Sequence, residues 1–361
     1  MYISKYIANY LLILLTIALS GCGGGTQITE DTTPVSKIQQ KGQITDTSTG
    51  QAIENVKVSI GGISTKTDKN GYYTLSNLPE KESIVVNFEK KGYLFGSTSL
   101  KLKYLSENST APSNYLEYSI YPTSQQWSQN ITQETKNKNF ILSPTTYIDS
   151  DGNTFNGDAT INLTVLNNTD KEFLNIFPGN FTRINTNGNL VSFISYGLIN
   201  LSLKDNKNDN LILSEGETAT LIFNTNIDFG NKDNLSLWYY EKKKSTWIEE
   251  GYAIPQADGT YKGEVTRFGI WSLNKPIEED PGIYRAYIID ENGLPISNVR
   301  LYAKGENWRK SALSADENGF FEINVIPNSS FHLSAYNYKN KYGASYSSTI
   351  SPIASGNIVE D

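Results

Sequence analysis

One cysteine, one histidine and one methionine occur in 361 residues. Cys22 has no disulfide partner and no second thiolate with which to hold a metal. His332 is the only imidazole, so any Ser–His–Asp or Cys–His arrangement rests on that one ring. It lies in Ser330-Phe331-His332-Leu333-Ser334, whose alternation reads as a strand with a structural or exposed histidine. Zinc sites of the His/Cys kind are excluded by arithmetic, and no metal or other cofactor is expected. Basic residues are also few: 31 Lys and Arg stand against 38 Asp and Glu, a formal net charge of -7. That balance argues against nucleic acid as a partner, which needs a basic surface. Phosphate-cradling loops and dinucleotide fingerprints are absent. No apolar run reaches the roughly 20 residues of a spanning helix.

Tyrosine, by contrast, is abundant, with 23 copies in a chain that is 38% hydrophobic and 12% aromatic. Tyrosine and β-branched residues suit half-buried strands. No long amphipathic helical pattern appears after the N-terminus, and the length allows two or three domains. The expected fold class is all-β, with serial β-sandwich domains behind an N-terminal signal helix.

At the N-terminus, Lys5 precedes an apolar run from Ile7 to Ala18, and Leu19-Ser20-Gly21-Cys22 follows. The run has the length of a signal-peptide core. These residues resemble the lipobox of bacterial lipoproteins, in which the cysteine after the cleavage site receives lipid. The resemblance implies a signal peptide over 1–21 and acyl chains, palmitate among them, on Cys22. Several chains give durable attachment at about 0.8 kcal/mol per buried methylene. The membrane is thus the expected partner, reached through acylated Cys22. Gly23, where Asp would favour the inner membrane, points to the outer membrane, with surface and periplasmic faces both open. Residues 22–40 read as the lipidated cysteine and a flexible tether.

From Gly42 a β pattern begins. Gly50 leads into Ala52-Ile53-Glu54-Asn55-Val56, and Thr67-Asp68-Lys69-Asn70-Gly71-Tyr72 is the strongest hairpin signal, because Asn-Gly tolerates positive φ. Asn77-Leu78-Pro79 breaks the pairing, and Gly92-Tyr93 closes a later strand. This order resembles the carboxypeptidase regulatory-like domain, a small transthyretin-like sandwich that is not itself a peptidase, over residues 41–122. The pattern recurs: Ile289-Asp290-Glu291-Asn292-Gly293 through Val299 matches the first turn and strand, and Ala315-Asp316-Glu317-Asn318-Gly319-Phe320 matches the hairpin. Val325-Ile326-Pro327 stands where Asn77-Leu78-Pro79 stood. The second copy, over 282–361, carries extra residues around Glu306-Asn307-Trp308-Arg309.

Between the copies, residues 128–276 form a different β domain. Its strands include Ala159 to Val165, Ser195 to Leu201, Leu237 to Glu241 and Tyr261 to Trp271. It is similar to a domain that follows regulatory-like modules in bacterial lipoproteins and to a region of the cartilage intermediate layer proteins. Its end is more distantly similar to ZU5-type domains, some of which cleave themselves at His-Phe-Ser. Here Arg267-Phe268-Gly269 supplies neither base nor hydroxyl, so an intact chain is expected.

Asp149-Ser150-Asp151-Gly152-Asn153 places oxygens at alternate positions like the start of a calcium loop. The bidentate glutamate that such a loop needs is replaced by Thr160, and an Asp-Gly turn accounts for the stretch. Trp238, Tyr239, Tyr240, Trp247 and Trp271 suit either a sugar-stacking face or core packing. Alternation favours the core for one residue of each neighbouring pair. Trp308, with Tyr336 and Tyr338, lies near loop sequence and is the ligand-binding candidate. Lys242-Lys243-Lys244 reads as a solvated hairpin tip. The expected function is a non-catalytic envelope lipoprotein that acts as a scaffold, adhesion or ligand-binding module toward a protein or glycan. The alternatives are a carbohydrate-binding surface lipoprotein and, less favoured, a carboxylate-based hydrolase, since chance alone supplies many carboxylate pairs. Three sandwiches in series would present the last one furthest from the membrane.

Overall fold

A turn chemistry repeated along the chain sets the strand order. At Asp68 the carboxylate accepts from the backbone N–H of Asn70 and Tyr72, while Gly71 takes φ 75°. Asp290 does the same for Asn292 and Leu294, Asp149 for Asp151 and Asn153, and Asp205 for Lys207 and Asp209. Each aspartate satisfies two amides that a tight reversal leaves without ladder partners, which holds the flanking strands in register. In this computed structural model the described residues are 38–78, 83–101, 114–122, 125–143, 146–170, 173–179, 181–184, 190–225, 233–296, 299–313, 318–337, 342–345 and 348–361. The signal sequence and Cys22 lie outside them. Residues Ser36–Asp361 cluster as one compact unit.

The first sandwich comprises β1 (Gln40–Asp46), β2 (Lys57–Ile60), β3 (Ile63–Lys66), β4 (Tyr72–Leu75), β5 (Ser83–Glu89), β6 (Gly96–Lys101) and β7 (Asn114–Ile120). Its sheets have the orders β4-β1-β7 and β3-β2-β5-β6. Alternate residues point inward, so Ile44, Val58, Leu75, Val86, Phe88 and Tyr118 form the core. Phe88 and Tyr118 stack with ring centres 4.4 Å apart. Ile38, inside the expected tether, is already buried in this core.

The middle region comprises β8 (Gln125–Asn130), β9 (Thr135–Lys136), β10 (Phe140–Leu142), β11 (Tyr147–Ile148), β12 (Thr154–Phe155), β13 (Asp158–Asn167), α1 (Phe173–Ile176), β14 (Thr182–Ile184), β15 (Leu190–Lys204), β16 (Asn210–Leu213), β17 (Ala219–Asn224), β18 (Leu235–Glu241), β19 (Thr246–Pro255), β20 (Thr260–Val265) and β21 (Gly269–Ile277). The 14 strands form one hydrogen-bonded sheet that folds back on itself. The long strand β19 makes this possible. It pairs with β18 over most of its length and with β20 at its end, and Gly251, at φ 121°, sits at the bulge in the β18 ladder. One core lies inside the fold, around Ile161, Leu201, Leu221, Leu237 and Trp271. A second covers the opposite face of β15, β18 and β21. There Phe173, Phe177 and Phe181 pack on Phe193, Trp238, Tyr240 and Trp247.

The C-terminal sandwich comprises β22 (Gly282–Tyr287), β23 (Arg300–Lys304), β24 (Arg309–Leu313), β25 (Phe320–Val325), β26 (His332–Asn337), β27 (Tyr342–Ser345) and β28 (Ile358–Glu360). Its sheets, β25-β22-β28 and β24-β23-β26-β27, repeat the first sandwich strand for strand. Even the parallel pair recurs, β1 with β7 and β22 with β28.

The sandwiches follow one another in sequence but fold back together in space, unlike a straight stalk. The short α1 turn is the meeting point. Asn175 Oδ1 accepts from Arg300 at 2.9 Å and from the Tyr302 hydroxyl, both in the C-terminal sandwich. The Asn175 carbonyl accepts from Tyr118 of the first, at 3.3 Å. The Arg300 guanidinium lies 5.2 Å from the Tyr118 ring centre, so the outer sandwiches also touch each other. On the first sandwich's side, Ser97 and Tyr240 hydroxyls meet at 2.9 Å and Asn87 donates to Ser245. Burial pushes the Tyr240 phenol up to about 12. The stalk expectation missed this because the middle sheet has two apolar faces, and the second needs covering.

Candidate interaction surface

The repeated topology lets the outer faces of the first and the C-terminal sandwich be read position by position. In the first, β1 and β4 place Gln43 opposite Tyr72 and Lys41 opposite Thr74. In the second, β22 and β25 place Tyr287 opposite Phe320 and Arg285 opposite Glu322. The turn that follows aligns Thr45 with Ile289, each bridging across the loop, and Gln51 with Leu294, each accepting from its turn aspartate.

On the first face Tyr72 is 46% exposed, and two of the polar residues around it are paired. Thr45 shares a 2.8 Å hydrogen bond with Ser119, and Gln43 donates to the Asn70 carbonyl. At the same positions the C-terminal face is apolar and open, with Tyr287 60%, Ile289 58% and Leu294 61% exposed. Tyr287 and Phe320 meet edge to face at 5.5 Å and 61°. Beside them Arg285 is clamped by Glu322 at 2.9 Å and Glu360 at 3.0 Å. Those two hydrogen bonds hold the Arg285 guanidinium above its usual range. The result is an apolar end next to a charged middle. The tilted ring pair does not make the flat platform on which a sugar ring stacks.

The residues singled out from sequence fall elsewhere. Trp308 is 4% exposed. Its indole folds back from the β23–β24 loop into the C-terminal core beside Phe331, and its N–H donates to Ser329 at 2.9 Å. A side chain on Gly305 would collide with that indole, 2.1 Å from its nitrogen, so the glycine makes the fold-back possible. Trp308 therefore offers no face to a ligand. Tyr336 lies on β26, and its side chain is outside the described residues, as is all of Tyr338. His332 is exposed on β26, with Nδ1 3.2 Å from the Ser348 carbonyl. Trp238, Tyr240, Trp247 and Trp271 are buried, and Tyr239 packs partly buried against the inner core. Neighbours 238 and 239 are both covered because the sheet is covered on both sides. Lys242, Lys243 and Lys244 are exposed, with the Lys242 amine 4.9 Å from the Phe95 ring centre.

Asp149 spends one carboxylate oxygen on the amides of Asp151 and Asn153, which draw its carboxyl below the usual range. Among the described residues no three His, Cys, Asp or Glu side chains converge as a metal site.

A polar cleft of about 360 Å³ opens on the first sandwich between Asp46, Thr49, Gln51, Glu54, Lys90 and Tyr93. Its groups already serve each other. Tyr93 donates to Asp46 at 2.7 Å, and Lys90 donates to the Glu54 carbonyl at 2.7 Å. Burial, with the Asp46 charge beside it, pushes the Tyr93 phenol up to about 12, so it stays protonated and is no base near neutrality.

Residues 41–103 match the family model of the carboxypeptidase regulatory-like domain. No curated protein matches the chain. Among solved structures, the Bacillus anthracis TIE protein aligns at 11% identity and a TM-score of 0.20. The alignment covers 90% of this chain and 50% of that one, so this chain spans half its length. BcpA, the major pilin subunit of Bacillus cereus, aligns at 12% identity over 90% of this chain and 98% of that one, with a TM-score of 0.20. The major pilin SpaD of Corynebacterium diphtheriae aligns at 11% over 90% and 97%, with a TM-score of 0.21.

Proposed function

We propose that this chain is a non-catalytic envelope lipoprotein, anchored through acylated Cys22, that engages a macromolecular partner with the outer face of its C-terminal sandwich. One observation carries the choice of face. Two copies of one module differ there, and the copy with polar, internally paired residues gives way to one with Tyr287, Ile289 and Leu294 exposed. The regulatory-like module is a non-catalytic domain type, which supports a scaffold or adhesion role over an enzymatic one. The Leu19-Ser20-Gly21-Cys22 motif supports the anchor, with Gly23 favouring the outer membrane. The tilted Tyr287–Phe320 pair favours a protein surface over a glycan.

Two measurements test this. Cys22→Ser should abolish incorporation of labelled palmitate and release the chain from the membrane fraction; a variant that stays membrane-bound removes the anchor. Protease shaving of intact cells should digest the C-terminal sandwich while a periplasmic control survives, and cells carrying Tyr287→Gln with Ile289→Thr and Leu294→Gln should lose adhesion to neighbouring cells or surfaces. Protection from protease would turn the search to periplasmic partners. Unchanged adhesion in the shaved-positive case would exclude the proposed face.

A further inference from the structure

Lys310 of β24 is 3% exposed and lies where the C-terminal sandwich docks on the middle one. Its amine donates to Ser192 Oγ at 2.7 Å, and Ser192 is fully buried on β15. That single neutral hydroxyl is a poor match for an ammonium with three donors and a charge. We propose that this joint is proton-controlled, closing on a neutral Lys310 and loosening when the amine takes up a proton.

Among the described residues the surroundings offer no counter-charge. On β23, Arg300 is engaged with Asn175 and Tyr118, and Lys304 is exposed. Arg309, next along β24, reaches the Thr169 carbonyl. On β25, Glu322 is held by Arg285. The α1 turn carries no acidic or basic residue. On β15 the one charged side chain is Lys204, twelve positions from Ser192 at the far end, and Lys275 on the adjacent β21 is exposed. Arg183 on β14 faces Glu249, Glu278 and the Trp238 ring. Among the described residues no carboxylate pairs with Lys310, and burial alone pushes its amine down to about 7.

Other bonds across the joint run from Arg300 and Tyr302 to Asn175, from Arg309 to the Thr169 carbonyl and from Ser311 to the Leu174 carbonyl, and none involves a carboxylate or an imidazole. In the open joint Lys310 is solvated and titrates near 10.4. Between about 7 and that value the open state holds one proton more than the closed state. The closed state therefore gains as pH rises through this window, by up to about tenfold per pH unit. Below about 7 both states are protonated and the dependence levels off.

The test uses the full chain with Cys22→Ser and a reporter thiol from Ser311→Cys, a position half-buried in the joint. Its labelling rate measures opening. The ratio of rates between the Lys310 chain and its Lys310→Met counterpart cancels the titration of the thiol itself. That ratio should fall about tenfold per unit between pH 7.5 and 9.5. Lys310→Arg, charged throughout, should label fast at every pH with no such slope. A constant ratio, or a slope kept by Lys310→Arg, overturns the proposal. If Lys310→Met fails to fold, Lys310→Gln, which also lacks the amine, serves as the reference.

Discussion

The first and the C-terminal sandwich share strand order, turn aspartates and parallel terminal pair, yet they differ in three places. The first joins β2 to β3 through Gly61-Gly62, while the second inserts a longer hairpin and fills its core with Trp308. The first packs β7 so tightly on β1 that a side chain at Gly42 would lie 2.0 Å from the Leu116 carbonyl oxygen. The second has Ala286 there, and its β28 pairs with β22 only from Ile283 to Arg285. On the outer face the first sets Gln43 and Thr45 around an exposed Tyr72, where the second exposes Tyr287 and Ile289 beside its charged cluster. The common features are those the fold needs. The differences lie where a shared scaffold is free to vary, which is where separate roles are found.

The largest expected effect breaks the second core and has no counterpart in the first. Trp308→Ala removes a buried indole and its bond to Ser329, and should cost about 3–5 kcal/mol in chemical unfolding of the C-terminal sandwich. A loss under about 1 kcal/mol would mean that the indole does not fill that core. Gly42→Ala comes next. Overpacking against Leu116 should cost roughly 1–3 kcal/mol in the first sandwich, whereas the reciprocal Ala286→Gly should cost under about 1 kcal/mol in the second. Equal losses would show that the two strand pairs are packed alike.

A smaller effect concerns acid. The amides of Leu294 and Asn292 hold the Asp290 carboxyl below its ordinary value. A depressed folded value means that the stabilisation is complete above the unfolded pKa near 3.9 and is lost as pH falls through the folded one. Asp290→Asn should therefore flatten the acid limb of the C-terminal sandwich's unfolding curve below about pH 4 and leave that of the first sandwich unchanged. The smallest expected change is Tyr287→Gln, within about 0.5 kcal/mol of the parent by thermal unfolding. A marked loss of stability would show that the apolar face belongs to the fold and not to a partner.

Much of this was legible in the chain. Asp68-Lys69-Asn70-Gly71 and Asp290-Glu291-Asn292-Gly293 announce their turns because carboxylate capping and positive φ are local requirements. Asp149 makes the same turn, as its Asp-Gly sequence led one to expect. Three things were not legible. Trp308 lies in loop sequence, and only Gly305, which leaves room for the indole, hints that the loop folds inward. Trp238 and Tyr239 are both covered because α1 and the two outer sandwiches seal a face that alternation treats as wet. The outer-face difference is visible as Gln43 against Tyr287 once the repeats are aligned, but its exposure depends on what the rest of the chain leaves uncovered.

The parallel pairing of first and last strands also has a mechanical meaning. In the first sandwich the chain enters at Gln40 beside Asn114 and leaves at Ile120 beside Asp46. A pull between those ends runs along the strands and shears all seven paired positions together, so no bond can break ahead of the rest as in a zipper. The C-terminal sandwich opposes the same load with three positions. Pulled by its own two ends, the first sandwich is therefore the stronger of the two, and the C-terminal one is the first to yield.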